Sequence, residues 1–250
     1  MTHDRQFKER LYGQFARLGK ALSSPQRLEL LELLAQGERT VDSLANETSL
    51  SVSNVSQHLK ALRAACLVES RKQGLFVWYR LADPIVFELS RTLRTVAERR
   101  LAELERIVSE QFGDRSEAEA VSIKELRRRG RSGDDVVLDT RPAGEYAAGH
   151  IPGALSMPVD ELEKRLQELP KKKAFVAYCR GPYCIYADRA VEILRASGRR
   201  ASRLREGFPD WRAAGMPVES QLPGVRLRLR NARQVRRRGR AGAGPRRLHA

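Results

Sequence analysis

Cysteine and histidine are scarce in this chain: its 250 residues hold three cysteines (Cys66, Cys179 and Cys184) and four histidines. Three thiols are too few for a disulfide framework, so a small cross-linked secreted fold is excluded and a reducing compartment is expected. No run of eighteen apolar residues occurs, which excludes a membrane-spanning helix. The opening Met1-Thr2-His3-Asp4-Arg5 carries no signal-peptide pattern, so the protein is expected in the cytoplasm with no membrane partner. Acid is missing from one segment only. Residues 1–112 hold 17 Lys/Arg against 14 Asp/Glu and residues 113–222 hold 20 against 17, whereas 223–250 hold ten arginines and no acid. Most of the net charge of +16 therefore sits in one tail, and the overall basicity says little about nucleic-acid binding by the rest. The length fits two domains of ordinary size.

What is present is periodic. Residues 4–22 place Phe7, Leu11, Phe15, Leu18 and Leu22 at steps of three or four, which predicts a helix. Pro25 opens a second helix carrying Leu28, Leu30, Leu31, Leu33 and Leu34, stopped by Gly37, and Thr40 begins a third with Val41, Leu44 and Ala45. Leu50 and Ser51 turn into a fourth helix whose Val52, Val55, Leu59 and Leu62 form an expected core stripe. Two short strands, Leu67 to Arg71 and Leu75 to Leu81, meet around Gln73-Gly74. Asp83-Pro84 then opens a long helix to about Phe112, with Leu89, Leu93, Val96, Leu101, Leu104, Ile107 and Val108 in stripe positions.

The polar face of the fourth helix shows Ser53, Asn54, Ser56, Gln57 and Lys60, short or amide side chains suited to base edges and phosphates in a major groove. Gln57 and Asn54 are the expected base contacts. Ser53, Ser56 and Lys60, with Arg71 and Lys72 on the hairpin, are the expected backbone contacts. His58 lies at the flank and is expected to be structural. An ordinary solvated face is the bland alternative.

Helices followed by a basic hairpin, with Leu22-Ser23-Ser24-Pro25-Gln26-Arg27-Leu28, Ser53 through Leu62 and Leu67-Val68-Glu69-Ser70-Arg71, resemble the winged helix-turn-helix of the arsenical-resistance repressor (ArsR) family over residues 5–112. The resemblance implies double-stranded operator DNA as partner and a homodimer formed through the 83–112 helix; packing of that stripe within one protomer is the alternative. Metal-sensing members carry paired cysteines near the third helix or Asp/His/Glu ligands on the last one. Here Thr40-Val41-Asp42-Ser43-Leu44 has no cysteine, the 83–112 segment has no histidine, and only Cys66, His3 and His58 are available. Neither a resident metal nor a cofactor is expected. Cys66 is expected to fill the core, with relay of sulfur from Cys179 as the sharper alternative.

A polar linker, 113–120, leads to the second region. Ser122 and Glu125 form a plausible capping box for the helix holding Leu126. Strands at Val136–Leu138, Ala174–Tyr178 and Ala201–Leu204, separated by helical stretches, imply a parallel sheet wrapped by helices. Lys171-Lys172-Lys173 reads as a solvated turn or as an attractor for anionic donors. The turn Cys179-Arg180-Gly181-Pro182-Tyr183-Cys184 joins strand to helix, where loop amides and the helix N-terminus lower a thiol pKa and hold an anion. Cys179 then reads as a nucleophilic thiolate with Arg180 as fixed positive charge; two cysteines used as small apolar fillers are the alternative.

That loop, with Val136 through Arg141, Glu145 through Ala154, Gly207-Phe208-Pro209-Asp210-Trp211 and Ala214-Gly215-Met216-Pro217, resembles the rhodanese (thiosulfate sulfurtransferase) family over 121–220. The resemblance implies that Cys179 carries sulfur as a persulfide taken from a sulfane donor such as thiosulfate or a low-molecular-weight persulfide. Phosphatases of the same fold need an arginine six positions after the cysteine, and Ile185 stands there. Cys184 occupies a position where a hydroxyl or basic residue is common; it either resolves a Cys179 persulfide into a disulfide or packs. Pro182 removes one N–H donor from the loop, which suits slow turnover and a sensing role. Asp139 and Arg141, at the end of their strand, are expected to brace the site wall as an ion pair, with substrate contact by Arg141 as the alternative.

The tail 223–250 cannot build a core and is expected to be disordered, either adding phosphate affinity or serving no function. The expected architecture is thus two domains, a mainly-α winged helix-turn-helix followed by an α/β rhodanese-like domain with a parallel sheet, and a basic tail. The expected function is a DNA-binding regulator responding to sulfur or redox state. Two other readings stay open: a sulfurtransferase whose winged helix only dimerises or docks it, and a repressor with an inert rhodanese module.

Overall fold

The computed structural model describes residues 2–113, 120–129 and 135–221. The tail 223–250, and the linker apart from Gly113 and Ala120, lie outside those residues.

The first unit runs α1 (Thr2–Leu22), α2 (Pro25–Gln36), β1 (Arg39–Thr40), α3 (Val41–Thr48), α4 (Val52–Ala64), β2 (Val68–Gln73), β3 (Phe76–Leu81), α5 (Pro84–Arg100) and α6 (Ala102–Phe112). Side-chain oxygens begin four of these helices. Ser24, Thr40, Ser51 and Asp83 accept from the backbone N–H groups of Arg27, Ser43, Asn54 and Ile85, each cap contributing about 1 kcal/mol. Leu30, Leu31, Leu34, Leu44, Val55, Leu59 and Leu62 form the core beneath the helix-turn-helix. The strands form an antiparallel sheet in the order β1-β3-β2, with Arg39 opposite Tyr79 and Arg71 opposite Trp78.

Three expectations are corrected here. Val52, the first residue of α4, precedes the part of the helix that packs and is 48% exposed, so the core stripe is Val55, Leu59 and Leu62. The helix opened by Pro84 does not run unbroken to Phe112: Leu101 is extended (φ −112°, ψ 97°) and separates α5 from α6. Arg99 and Arg100 end one helix while Glu103 and Glu105 begin the next, the charge order that helix dipoles favour at a break. Cys66 is exposed rather than core. It sits in the left-handed region (φ 58°) while the Leu67 N–H donates to the Leu62 carbonyl, the closing geometry of a helix end. The helix expected over 4–22 is present as α1; of its spaced apolar residues Phe7, Leu11 and Phe15 are exposed, while Leu18 and Leu22 lie against the core beside buried Ala21.

The second unit runs α7 (Ile123–Arg129), β4 (Asp135–Asp139), α8 (Ala143–Ala148), β5 (Leu155–Ser156), α9 (Val159–Arg165), β6 (Ala174–Tyr178), α10 (Ile185–Ala196), β7 (Arg200–Arg203) and α11 (Phe208–Ala213). All four strands are parallel, in the order β5-β4-β6-β7. Alternation along β6 divides two cores: Phe175, Ala177 and Cys179 join Leu162, Ala190 and Leu194, while Val176 and Tyr178 join Val121, Phe208 and Trp211. Cys179 continues the strand's parity and so points inward. Asp139 pairs in register with Tyr178, which brings the ends of β4 and β6 together at the sheet's carboxyl edge.

Candidate functional site

The fourth helix of the winged unit presents Ser53, Asn54, Ser56, Gln57 and Lys60 to solvent, and Arg71 and Lys72 are exposed on β2. His58 is half-buried at the flank. The seven candidate DNA contacts thus lie on two neighbouring elements, α4 and the wing. Two of them are already engaged within the chain: Ser53 Oγ lies 3.1 Å from Ser51 Oγ, and Arg71 donates from Nε and Nη2 to Glu38 Oε2 at 2.9 and 2.6 Å. That hydrogen bond raises the Arg71 pKa above the ordinary guanidinium value.

In the second unit the loop 179–184 lies between the carboxyl edge of the sheet and the winged unit. Cys179 is 2% exposed and forms a disulfide with Cys184. The Cys184 N–H turns inward to the Gly181 carbonyl, and Cys184 caps α10. Behind the loop, the Phe208 N–H donates to the Cys179 carbonyl, and a Cβ on Gly207 would collide with the Arg180 carbonyl. Only glycine allows that approach.

Asp139 and Arg141 form a fully buried pair. Arg141 donates from Nε and Nη2 to the two carboxylate oxygens at 2.9 and 2.6 Å, and Tyr178 Oη adds a 2.6 Å bond to Asp139 Oδ2. Burial opposes the Arg141 charge, yet the Asp139 partner leaves its pKa raised. Burial beside Asp139 likewise holds the Tyr178 hydroxyl protonated, well above its usual range. The remaining Arg141 donors reach the Gly149 carbonyl at 2.7 Å and Gln36 Oε1 at 3.2 Å, and the guanidinium lies 4.2 Å from the Phe208 ring centre. These partners hold Arg141 inside the site wall, fully buried and bonded within the chain.

Arg180 follows Cys179 in the loop. Its guanidinium, expected to stabilise an anion at Cys179, is engaged by carboxylates. Nη2 lies 2.5 Å from both Glu145 Oε1 and Glu47 Oε2, and Nε lies 2.9 Å from Glu145. Burial opposes its charge, but the two carboxylates raise its pKa above the ordinary value. Arg39 completes a ring, 2.6 Å from Glu145 and 3.2 Å from Glu47. Glu47 and Arg39 belong to the winged unit, Glu145 and Arg180 to the other.

Further bonds join the units around the same loop. Gln36 Nε2 donates to the Arg180 carbonyl at 3.2 Å, Arg94 to Asp210 at 3.0 Å, Tyr183 Oη to Glu98 at 2.7 Å, and Arg212 to the Ala35 carbonyl at 2.6 Å. Glu145 and Asp210 entered the sequence reading only within the rhodanese-like motifs, and sequence reasoning missed Gln36, Arg39, Glu47 and Arg94. The one local signal among them was Gln36, a polar residue following the run Leu33-Leu34-Ala35 directly before the helix stop.

An antiparallel wing beside a helix-turn-helix, followed by a parallel sheet with a cysteine loop at its carboxyl edge, defines a winged helix-turn-helix protein joined to an α/β unit. The family model for bacterial regulatory proteins of the arsR family matches residues 24–70, and that for the rhodanese-like domain matches 122–214. The HTH-type transcriptional regulator Rv0324 of Mycobacterium tuberculosis is 43% identical over 216 residues, covering 86% of this chain and 95% of that protein. The chain belongs to this family of arsR-type transcriptional regulators bearing a C-terminal rhodanese domain. A sulfurtransferase of Allochromatium vinosum is 33% identical over 99 residues, 39% of this chain and 92% of its own. The solution structure of a homodimeric winged helix-turn-helix DNA-binding domain from Mycobacterium bovis is 41% identical, covers 38% of this chain and 87% of that one, and superposes with a TM-score of 0.36. Among the described residues no helix is long and apolar enough to cross a membrane.

Proposed function

We propose that this regulator binds operator DNA as a homodimer and senses sulfane sulfur at Cys179. The observation that carries the sensing half is the Cys179–Cys184 bond, formed inside a loop that touches the winged unit. The chemistry balances without an external oxidant. The Cys179 thiolate attacks the outer sulfur of thiosulfate, an S–S bond forms and sulfite leaves. The Cys184 thiol then attacks the Cys179 sulfur, the new S–S bond forms, and hydrosulfide leaves with the proton. The sulfane sulfur is reduced as the two cysteines are oxidised.

Burial of Cys179 and the engagement of Arg180 by carboxylates favour a slow, sensing thiol over a fast sulfurtransferase. Dimerisation is supported by the apolar side chains that α1, α5 and α6 leave exposed, among them Phe7, Phe15, Leu93, Val96 and Ile107; patches of this kind mark interaction surfaces. Gln57 and Asn54 read bases, while Ser53, Ser56, Lys60, Arg71 and Lys72 hold the backbone. A dimer presents two such helices to a pseudo-palindromic site.

The test is a titration of promoter DNA from the protein's own operon with the reduced chain, before and after thiosulfate or a persulfide donor. Affinity is expected to change as mass spectrometry shows sulfur added at Cys179 or the 179–184 disulfide formed. Equal affinities in both states would end the sensing reading while leaving DNA binding intact.

A further inference from the structure

We propose that the ring Arg39, Glu47, Arg180 and Glu145 is the element that couples the state of the cysteine loop to the helix-turn-helix. This rests on the sensing reading above and names its route. The four side chains alternate in charge, two from each unit, and all are shielded: their side-chain exposures run from 3% for Glu145 to 23% for Glu47. Arg180 is bonded through the backbone to Cys179, so its peptide moves with the nucleophile. That peptide is gripped on both sides, by Gln36 Nε2 on its carbonyl and by the close approach of Gly207.

In the disulfide, the atom bonded to the Cys179 sulfur is the sulfur of Cys184. In a persulfide, the sulfane sulfur takes that bonding position, and Cys184 must give it up. Cys179 is buried in the same core as Ala187 and Ala190 and the Arg180 carbonyl is held, so the exchange is taken up by Cys184 and the Arg180 side chain. Reduced, loaded and closed loops therefore present Arg180 differently to Glu47 and Glu145.

The other half of the ring lies close to the DNA-binding elements. Glu47 is on α3, the helix that packs against α4. Arg39 is on β1, which pairs with β3 of the wing, and its neighbour Glu38 holds Arg71. Thr40, the next residue, caps α3. A shift of Arg39 or Glu47 thus reaches the wing through the β1–β3 pairing and the Glu38–Arg71 bond, and α4 through the packing of α3. Linkage makes the effect reciprocal: operator DNA must shift the thiol–disulfide equilibrium of the pair by the factor that the disulfide shifts DNA affinity.

The experiment compares the full chain with Glu47→Gln, an isosteric change that removes a charge from the ring but touches neither the cysteines nor the proposed DNA contacts. Wild type is expected to change operator affinity by about fivefold or more between its reduced and thiosulfate-treated states, within the usual span of coupling. Glu47→Gln is expected to take up sulfur and form the disulfide to the same extent, by mass spectrometry, while its affinity change falls below about twofold. Its effect of operator DNA on the dithiothreitol midpoint of the disulfide should collapse in parallel. Arg39→Lys, which keeps charge but loses the two-pronged donor, provides the same comparison should Glu47→Gln melt early. A variant that loads sulfur and still shows the wild-type affinity change overturns the ring as the route and leaves sensing standing. An unresponsive wild type removes both.

Discussion

The recognition helix and the cysteine loop use their polar groups in opposite ways. On α4, Asn54, Gln57 and Lys60 face water. Around the loop, the ionic groups of Asp139, Arg141, Glu145 and Arg180 are met by partners within the chain. A surface that docks on a large polyanion needs donors free to exchange water for phosphate and base edges. A site proposed to handle one sulfur atom needs its geometry fixed beforehand, and fixing it means burying and pairing the supporting charges. The contrast also matches where the two sets lie: the candidate DNA contacts on two exposed elements of one unit, the groups around the loop drawn from both units.

The sharpest way to break the comparison is Cys179→Ser. It should abolish sulfur uptake from thiosulfate, followed by mass spectrometry, while operator affinity of the reduced protein stays within about twofold, because serine stands in for the reduced thiol and the proposed DNA contacts lie on α4 and β2. Next in size is Asp139→Asn, which strands the Arg141 charge in a fully buried site. Removing one partner of such a pair costs about 3–5 kcal/mol, to be read from urea unfolding of the full chain.

On the open side, Gln57→Ala should weaken operator binding by about 1–3 kcal/mol and relax preference at one base pair; an unchanged Kd would remove this residue from the base contacts. Lys72→Ala should weaken binding uniformly across sequences and reduce the slope of log K against log salt by about 1. The smallest effect belongs to Glu125, whose carboxyl is held down to about 2 by hydrogen bonds from Arg128 and Arg129. Its folded pKa lies below the ordinary 4.5, so its contribution is present in full above that pH and fades as the pH falls towards about 2. Glu125→Gln should therefore lower Tm slightly at pH 7, with the gap to wild type closing only in acid. A constant gap would show that the carboxylate does not titrate as its partners imply.

Local chemistry made much of the architecture readable. Ser24-Pro25, Thr40 and Ser51 are helix starts by composition, and they start helices here. The run Ala174–Tyr178 is a strand with those ends. Ser122 accepts from the Glu125 N–H as a cap should, although the Glu125 carboxylate turns to Arg128 and Arg129. The two-residue strands β1 and β5 carry no period and were invisible, since pairing with a distant partner is all that makes them strands. Leu101 was assigned to a stripe because its spacing fits; spacing along a helix does not reveal where the backbone leaves it.

By itself, the sequence determined two kinds of information: where elements begin and end, through caps, glycines and periodicity, and which chemistry the loop 179–184 and the exposed face of α4 can offer. These rest on neighbours a few residues apart. Tertiary structure alone decided what that chemistry is connected to. Arg180 meets Glu47 across 133 positions and Gln36 meets Arg141 across 105. Such pairs carry no local pattern, because an exposed and a buried ion pair are written with the same letters until folding brings their ends together and takes the water away.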